Sequence, residues 1–304
     1  REWYAKYVDS AVEVPSPAFD RLCETAKAND VLLHVGIIEK AGGTLYCTAL
    51  LLDREGKLVY KHRKVTQPIH QAMFETNKLK LIPTAAERLV WGRGAGDGLL
   101  VKPTDVGRLG ELYAGGSYGD VPAGHRARGS VPVSKGETVA DVDNPHSIGF
   151  TWRPTPMILA TWTASMQHVA KEGRCFVVSV NSFCKVSDFP PDYPPFTAEH
   201  PDRRPDGAQW EADDILNHGG SCIVGPLGTF LAEPAWDKEE IVYASLRMAD
   251  ITESKLDFDP IGSYSRPDIF QTTLDVMCAD PKLTSRLSSL TVNAKPADNV
   301  VFTS

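Results

Sequence analysis

The stretch TLYCTALLLDREGKLVYKHRK, residues 44–64, has the pattern of two strands joined by a tight turn. An apolar run leads into the polar turn Asp53–Gly56, and a second run of strand-forming residues then ends on KHRK. Before it, VLLHVGIIE (31–39) is the near-continuous apolar run expected of a strand buried on both faces, and Gly42–Gly43 follow it. Two tight turns between three strands predict antiparallel neighbours in one sheet.

Two segments have the spacing of amphipathic helices. The first, PSPAFDRLCETAKAND (15–30), is predicted to begin at Ser16 or Pro17 and to end at Asn29–Asp30. The second is TWTASMQHVAKEGR (161–174). Their apolar faces consist of Phe19, Leu22, Cys23 and Ala26 in the first helix, and of Trp162, Met166, Val169 and Ala170 in the second.

The second half of the chain alternates strand patterns with irregular segments. CFVVSVNSF (175–183) is predicted as a buried strand, GGSCIVGPLGTFLAEP (219–234) as a hairpin-like pair, and EEIVYASLRM (239–248) as a last strand. The proline-rich stretch 189–207 is predicted to be a long surface excursion, and the tail from Asp250 to be mostly irregular. Mixed strands and helices with no clean break favour one layered α/β domain.

Composition narrows the class of protein. The chain has 304 residues, 42% of them hydrophobic, and a net charge of −7, which argues against binding to nucleic acid or to an anionic membrane. Six cysteines lack CxxC spacing, which fits buried thiols in a reducing compartment better than a disulfide framework or a zinc site. No apolar run approaches the roughly 20 residues of a membrane span. We therefore expect a cytoplasmic protein.

Several local patterns have ordinary explanations when each is taken alone. Residue types predict an exposed strand end for KHRK (61–64), and a hydrogen-bonded position at the edge of the core for His168. The glycines of WGRGAGDG (91–98) and YAGGSYGD (113–120) match neither the dinucleotide fingerprint nor the P-loop. Glu87 lies in the first turn of a predicted helix, where it either balances the helix dipole or orients a nearby ammonium.

The order of the segments is more informative than any one of them. The stretches 37–64, LIPTAAERLVWGRG, TWTASMQHVAKEGRCFVVSVNSF, GGSCIVGPLGTFLAEP and FDPIGSYSRPDIF resemble, in this order, the nitrilase branch of the carbon–nitrogen hydrolase superfamily. The resemblance covers most of residues 1–275 and assigns 276–304 to an irregular tail. It implies a four-layer α-β-β-α sandwich, incomplete at the N-terminus.

The resemblance also implies a chemistry. In the family a Cys thiolate attacks the nitrile carbon, a Glu acts as general base, and a Lys stabilises the charge on the developing thioimidate. Water then releases ammonia and the carboxylic acid. The family lysine corresponds to Lys64 by its HRK context or to Lys80 by its K-L-x-P-T context, and the supporting Glu of PTxxER corresponds to Glu87. The implied substrate is a small organic nitrile, with no cofactor and no metal, and a homo-oligomer is expected.

Three departures from the family pattern affect the site. The catalytic Glu of the family would precede residue 1, and residues 65–80 separate HRK from the LxPT motif. The third departure is at the nucleophile, because LGELYAGG (109–116) occupies the place of LGxLICWE and contains no Cys. Residues 113–155 as a whole are an island with no family pattern, and from about 125 to 155 we expect loop.

One hypothesis connects the second and third departures. Residues 65–80 begin with Val-Thr and end with Lys, so their codons can begin with GT and end with AG, as a retained intron does. Tyr113-Ala114-Gly115 can be encoded by TAT-GCT-GG, which contains Cys-Trp codons in a neighbouring frame. Three functions stay open from sequence: a nitrile hydrolase, a relative that stops at the amide, and a catalytically impaired scaffold.

Overall fold

A computed structural model of the chain describes residues 2–64, 90–92, 94, 102–111, 138–144, 156–193, 196, 208–259 and 269. Lys80, Glu87, residues 65–80 and the tail 276–304 lie outside this part. So do most of the island 113–155 and the later half of the proline-rich stretch.

Four α-helices form within the described residues. Helix α2 begins where the sequence predicts, because the Ser16 hydroxyl caps it by accepting a hydrogen bond of 3.3 Å from the Phe19 N–H. Helix α3 begins earlier than predicted, at Pro156, since proline is well suited to a first helical turn. The helices are α1 (Glu2–Asp9), α2 (Pro17–Ala28), α3 (Pro156–Gly173) and α4 (Ala249–Ser254). A 3-10 turn covers Val186–Asp188.

The first sheet is the one that the opening stretch predicts. Strands β1 (Leu33–Ala41), β2 (Thr44–Leu52) and β3 (Leu58–Arg63) pair antiparallel in that order. Strand β2 is buried along nearly its whole length because it has a partner on each side. Strand β1 is an edge strand and mostly half-buried, so the prediction of burial on both of its faces is wrong. This sheet contains the candidate site.

The second sheet has seven strands. From one edge its order is β10-β9-β7-β6-β5-β4, with the short strand β8 paired to β9. The pairs β5–β6 and β6–β7 are parallel, and the other pairs are antiparallel. The strands are β4 (Lys102–Thr104), β5 (Gly107–Glu111), β6 (Thr138–Asn144), β7 (Phe176–Asn181), β8 (Phe183–Lys185), β9 (Ile215–Val224) and β10 (Phe230–Trp236).

Helix α3 packs on this sheet through the face that its sequence predicts. Met166 and Ala170 are buried against side chains that precede or belong to β7 and β9, and Trp162 and Val169 pack beside them. The sheet side of this core consists of Cys175, Val177, Cys222 and Val224. The helical period therefore identified the buried face correctly.

Two sequence predictions about this sheet are wrong. Residues 138–144, expected as loop, form β6, because β5 and β7 each offer it a parallel ladder of hydrogen bonds. Residues 239–248, expected as a last strand, pair with no described strand, and Ile241 and Tyr243 are 74% and 79% exposed. Apolar alternation alone does not make a strand where no edge is available to pair with it.

Candidate active site

Strand β3 sends its polar side chains to opposite faces of the first sheet. Successive residues of a strand alternate in direction, so Lys61 and Arg63 share one face, and His62 and Lys64 belong to the other. His62 is 1% exposed and Lys64 8% exposed. The expectation that KHRK is an exposed strand end is therefore wrong. Two sets of contacts, one on each face, hold this strand end.

On the first face, the carboxylate of Glu39 links side chains of three strands. Glu39 on β1 is 1% exposed and accepts a hydrogen bond of 2.8 Å from the Thr48 hydroxyl of β2. Lys61 Nζ lies 2.6 Å from Glu39 Oε1. Arg63 donates from Nη2 to Oε1 and from Nε to Oε2, both at 2.7 Å. A bidentate pair of this kind fixes the guanidinium plane as well as its distance.

The charge state of Glu39 follows from these contacts. Burial alone would raise the pKa of Glu39, but the hydrogen bonds from Arg63 and Lys61 outweigh it and lower the pKa to about 2. The Arg63 guanidinium also lies 3.9 Å from the centre of the Tyr46 ring, a cation–π contact on the neighbouring strand. Glu39 therefore stays ionised at neutral pH, and both Lys61 and Arg63 bind its carboxylate.

On the opposite face, the backbone of Lys64 is fixed on both sides. Thr48 pairs with Arg63, and the next hydrogen bond continues that register: the Lys64 N–H donates to the Cys47 carbonyl at 2.9 Å. The Lys64 carbonyl accepts from the Gly94 N–H at 2.8 Å. Lys64 thus lies opposite Cys47 at the end of a rigid strand, with its side chain largely buried.

The segment that approaches Lys64 depends on two glycines. Trp91 pairs with Leu45 in place of the ended β3, and the Gly92 N–H donates to the Leu45 carbonyl at 2.8 Å. A methyl group added at Gly92 would lie 2.7 Å from the Tyr46 ring, and one added at Gly94 would collide with the Arg63 carbonyl. The glycines of WGRG therefore allow the close backbone approach that this packing requires.

Aromatic residues cover the Lys64 face. Trp91 packs on Cys47 and Ala49, and its indole N–H donates to the Tyr7 hydroxyl of helix α1 at 3.2 Å. Burial raises the pKa of Tyr7 to about 12, so its hydroxyl is neutral at physiological pH. One turn earlier on α1, Trp3 meets Tyr193 edge-on, with ring centres 5.1 Å apart. Helix α1 therefore joins the Lys64 face to the start of the proline-rich stretch.

The structure tests the predicted site residues unequally. It places Lys64 directly after β3, largely buried, whereas Lys80 and Glu87 lie outside the described residues and stay predictions. Sequence reasoning missed Glu39 and its partner Arg63. The sequence did carry a signal for them. Glu39 is a lone carboxylate at the end of the apolar run VLLHVGIIE, and Lys61 and Arg63 are cations two positions apart, on one face of the strand that ends in KHRK.

The described cysteines are poor nucleophiles. Burial raises the pKa of the Cys222 thiol to about 11, and it also raises the pKa of the Cys23 and Cys184 thiols. Cys175 is 3% exposed within the core beneath α3, in agreement with its prediction as strand packing. Cys47 is 1% exposed and lies under Trp91. None of these five cysteines combines exposure with a lowered thiol pKa.

Two other segments discussed in the sequence analysis have described residues. His168, predicted at the edge of the core, is 69% exposed and lies 3.1 Å from Glu172, one turn along α3. Gly107–Glu111 form strand β5, and the glycines of YAGGSYGD that follow it lie outside the described residues. Within the described ranges, no three metal-ligating side chains come together. No helix among them is long and apolar enough to cross a membrane.

Comparisons with known proteins agree with this architecture. Residues 3–114 and 144–256 match the carbon-nitrogen hydrolase family. The chain is 36% identical over 277 residues to Nitrilase 2 of Arabidopsis thaliana, which covers 90% of this chain and 70% of that protein. It is 32% identical over 304 residues to the bifunctional nitrilase/nitrile hydratase NIT4A of Lupinus angustifolius, covering 100% and 71%.

A solved structure supports the fold independently. The crystal structure of a carbon-nitrogen hydrolase from Helicobacter pylori G27 superposes with a TM-score of 0.55 at 20% identity, over 79% of this chain and 70% of that one. The two sheets, the helices and the sequence matches together define the class: this chain belongs to the carbon-nitrogen hydrolase family, in its nitrilase branch.

Proposed function

We propose that this chain derives from an enzyme that hydrolyses small organic nitriles to a carboxylic acid and ammonia, and that its fold is organised for that reaction. The observation that carries the proposal is Lys64, a largely buried cation whose backbone is held by Cys47 on one side and Gly94 on the other. A cation fixed on a rigid strand end suits the stabilisation of charge on a nitrile nitrogen. Relatives at 32–36% identity that are named nitrilases support the same reaction.

In the proposed mechanism, the chain's own groups have separate tasks. Lys64 would stabilise the nitrogen of the thioimidate that forms when a thiolate adds to the nitrile carbon, and Glu87 would orient its ammonium. A first water would displace ammonia and leave a thioester, and a second water would release the carboxylic acid and restore the thiol. The Glu39–Arg63 pair, on the far side of β3, would hold the strand end in place. Lys80 is the alternative to Lys64.

The nucleophile is the weak point of this proposal. The family's LGxLICWE, set beside LGELYAGG, places Ala114 at the position of the Cys. The methyl group of alanine has no nucleophilic atom to replace the thiolate. We therefore expect weak or no turnover of nitriles by this polypeptide. This observation favours a second candidate function, a scaffold that keeps the family fold without the reaction.

An assay of products separates these functions. The purified chain is incubated with aliphatic and aromatic nitriles, and ammonia, carboxylic acid and amide are each quantified. Acid with stoichiometric ammonia supports the hydrolase, and amide without ammonia supports a hydratase, the alternative that the name of the lupin relative suggests. Neither product from any nitrile supports the scaffold.

The remaining structural expectations also stay proposals. We propose a four-layer α-β-β-α sandwich over residues 1–275, supported by contact between β1 of the first sheet and β6 of the second. A homo-oligomer and a cytoplasmic location are proposed with it. Light scattering coupled to gel filtration measures the oligomeric state, and a monomer at micromolar concentration would contradict the proposed assembly.

A further inference from the structure

A cleft far along the chain from Lys64 has the features of a second binding site. It lies between the β4–β5 hairpin, at the edge of the large sheet, and helix α4, and its volume is about 590 Å³. This volume is within the range of small-molecule sites in proteins. The lining residues are Pro103, Thr104, Gly107, Arg108, Ile251, Thr252 and Lys255.

Two cations line the cleft, and neither has a counter-ion among the described residues. Arg108 on β5 has its Nε atom buried, with no hydrogen-bond partner. Lys255 directly follows α4, is half-buried and takes part in no described ion pair. A buried guanidinium N–H without an acceptor is unfavourable, because it has lost its water and gained nothing in return. An acceptor supplied by a ligand would remove this deficit.

The carboxylates that flank the cleft are already engaged elsewhere. Asp105, between β4 and β5, lies 2.6 Å from Arg54. On α4, Arg247 contacts both Asp250 and Glu253, the latter at 2.7 Å. The positive charge of Arg108 and Lys255 is therefore not cancelled by Asp105, Asp250 or Glu253.

We propose that this cleft binds a small oxyanion, a carboxylate or a phosphate group, through Arg108 and Lys255. A guanidinium and an ammonium that converge on one cleft suit the oxygens of such a group. The cleft is larger than the anion, and Pro103 and Ile251 supply apolar lining for a short organic body. The site does not depend on the nitrile chemistry proposed for Lys64.

The test follows thermal unfolding of the full chain at constant ionic strength, with chloride exchanged for inorganic phosphate or for butyrate. The proposal predicts a saturable rise in melting temperature with at least one of the two anions. Saturation with phosphate alone identifies a phosphate site, and saturation with butyrate identifies an organic-acid site. A rise with neither anion would overturn the proposal.

Variants locate the effect. Arg108→Gln is expected to weaken anion binding by about tenfold or more, since a charge-assisted hydrogen bond is lost. Lys255→Gln, outside the sheet, gives the same direction of change in a variant that keeps the core intact. Lys27→Gln, an exposed position in the last turn of α2, removes the same charge and is expected to bind as the parent does. Equal binding by all three variants would contradict the assignment.

Discussion

Arg63 donates two hydrogen bonds of 2.7 Å to Glu39, one to each carboxylate oxygen, across the first sheet. The next residue along β3 is Lys64, which faces the other way and is largely buried. A bidentate pair resists both rotation and sliding of the strand that carries it. We infer that this pair determines where β3 ends and therefore where Lys64 lies.

Replacing Glu39 tests the structural part of this inference. Glu39→Gln leaves Arg63 and Lys61 beside a buried neutral amide, and we expect a loss of about 3 kcal/mol in the free energy of unfolding. Urea denaturation measures it. The control is Glu55→Gln, at an exposed turn residue, which should change stability by less than about 0.5 kcal/mol. Similar values for the two variants would show that the charge cluster is not stabilising.

The pH dependence of stability should report the same group. The pKa of Glu39 is lowered in the fold to about 2, from an ordinary value of 4.5. The unfolded chain therefore binds the proton more readily, so the contribution of Glu39 is present above pH 4.5 and is lost as pH falls toward 2. The difference in stability between the parent chain and Glu39→Gln should shrink across that window. A difference that stays constant from pH 5 to pH 3 would contradict the assignment.

The glycine at position 94 gives a third prediction. Gly94→Ala places a methyl group against the Arg63 carbonyl, and overpacking of this kind costs about 1–3 kcal/mol. Gly225→Ala is the matched control, because a methyl group there meets its nearest neighbours at an ordinary 3.5 Å. Differential scanning calorimetry should show a lower melting temperature for the first variant only. If both variants melt like the parent, the WGRG segment does not approach β3 as described.

The coding hypothesis is tested on nucleic acid. If residues 65–80 come from a retained intron and Tyr113-Ala114-Gly115 from a shifted frame, mature transcripts should lack codons 65–80 and encode Cys-Trp in place of Ala114-Gly115. Sequencing of full-length transcripts decides the matter. Abundant transcripts that encode YAGGSYGDVP in frame would refute the hypothesis.

The sequence predicted local structure better than long-range pairing. Helix α2 and the β1–β2–β3 meander were predictable because caps, tight turns and apolar periods are local. Strand β6 was not predictable, because its ladder of hydrogen bonds comes from β5 and β7. Strand β5 ends 27 residues before β6 begins. The stretch 239–248 has a strand's composition but pairs with none of the described strands.

The site was predictable only through resemblance. Lys64 was identified by its HRK context, but residue types alone suggested an exposed position, whereas the structure leaves it only 8% exposed and bonds its backbone to Cys47 and Gly94. Glu39 was missed because its importance depends on cations more than 20 residues away that the fold alone brings to it.

If Lys64 is the cation of a nitrile site and Ala114 occupies its nucleophile position, ammonia release from nitriles in an Ala114→Cys background, with Lys64→Ala or Lys80→Ala added, should show it. We expect Ala114→Cys to release more ammonia than the parent, the addition of Lys64→Ala to abolish the gain, and the addition of Lys80→Ala to preserve it. No gain from Ala114→Cys, or a gain that survives Lys64→Ala, would contradict these assignments.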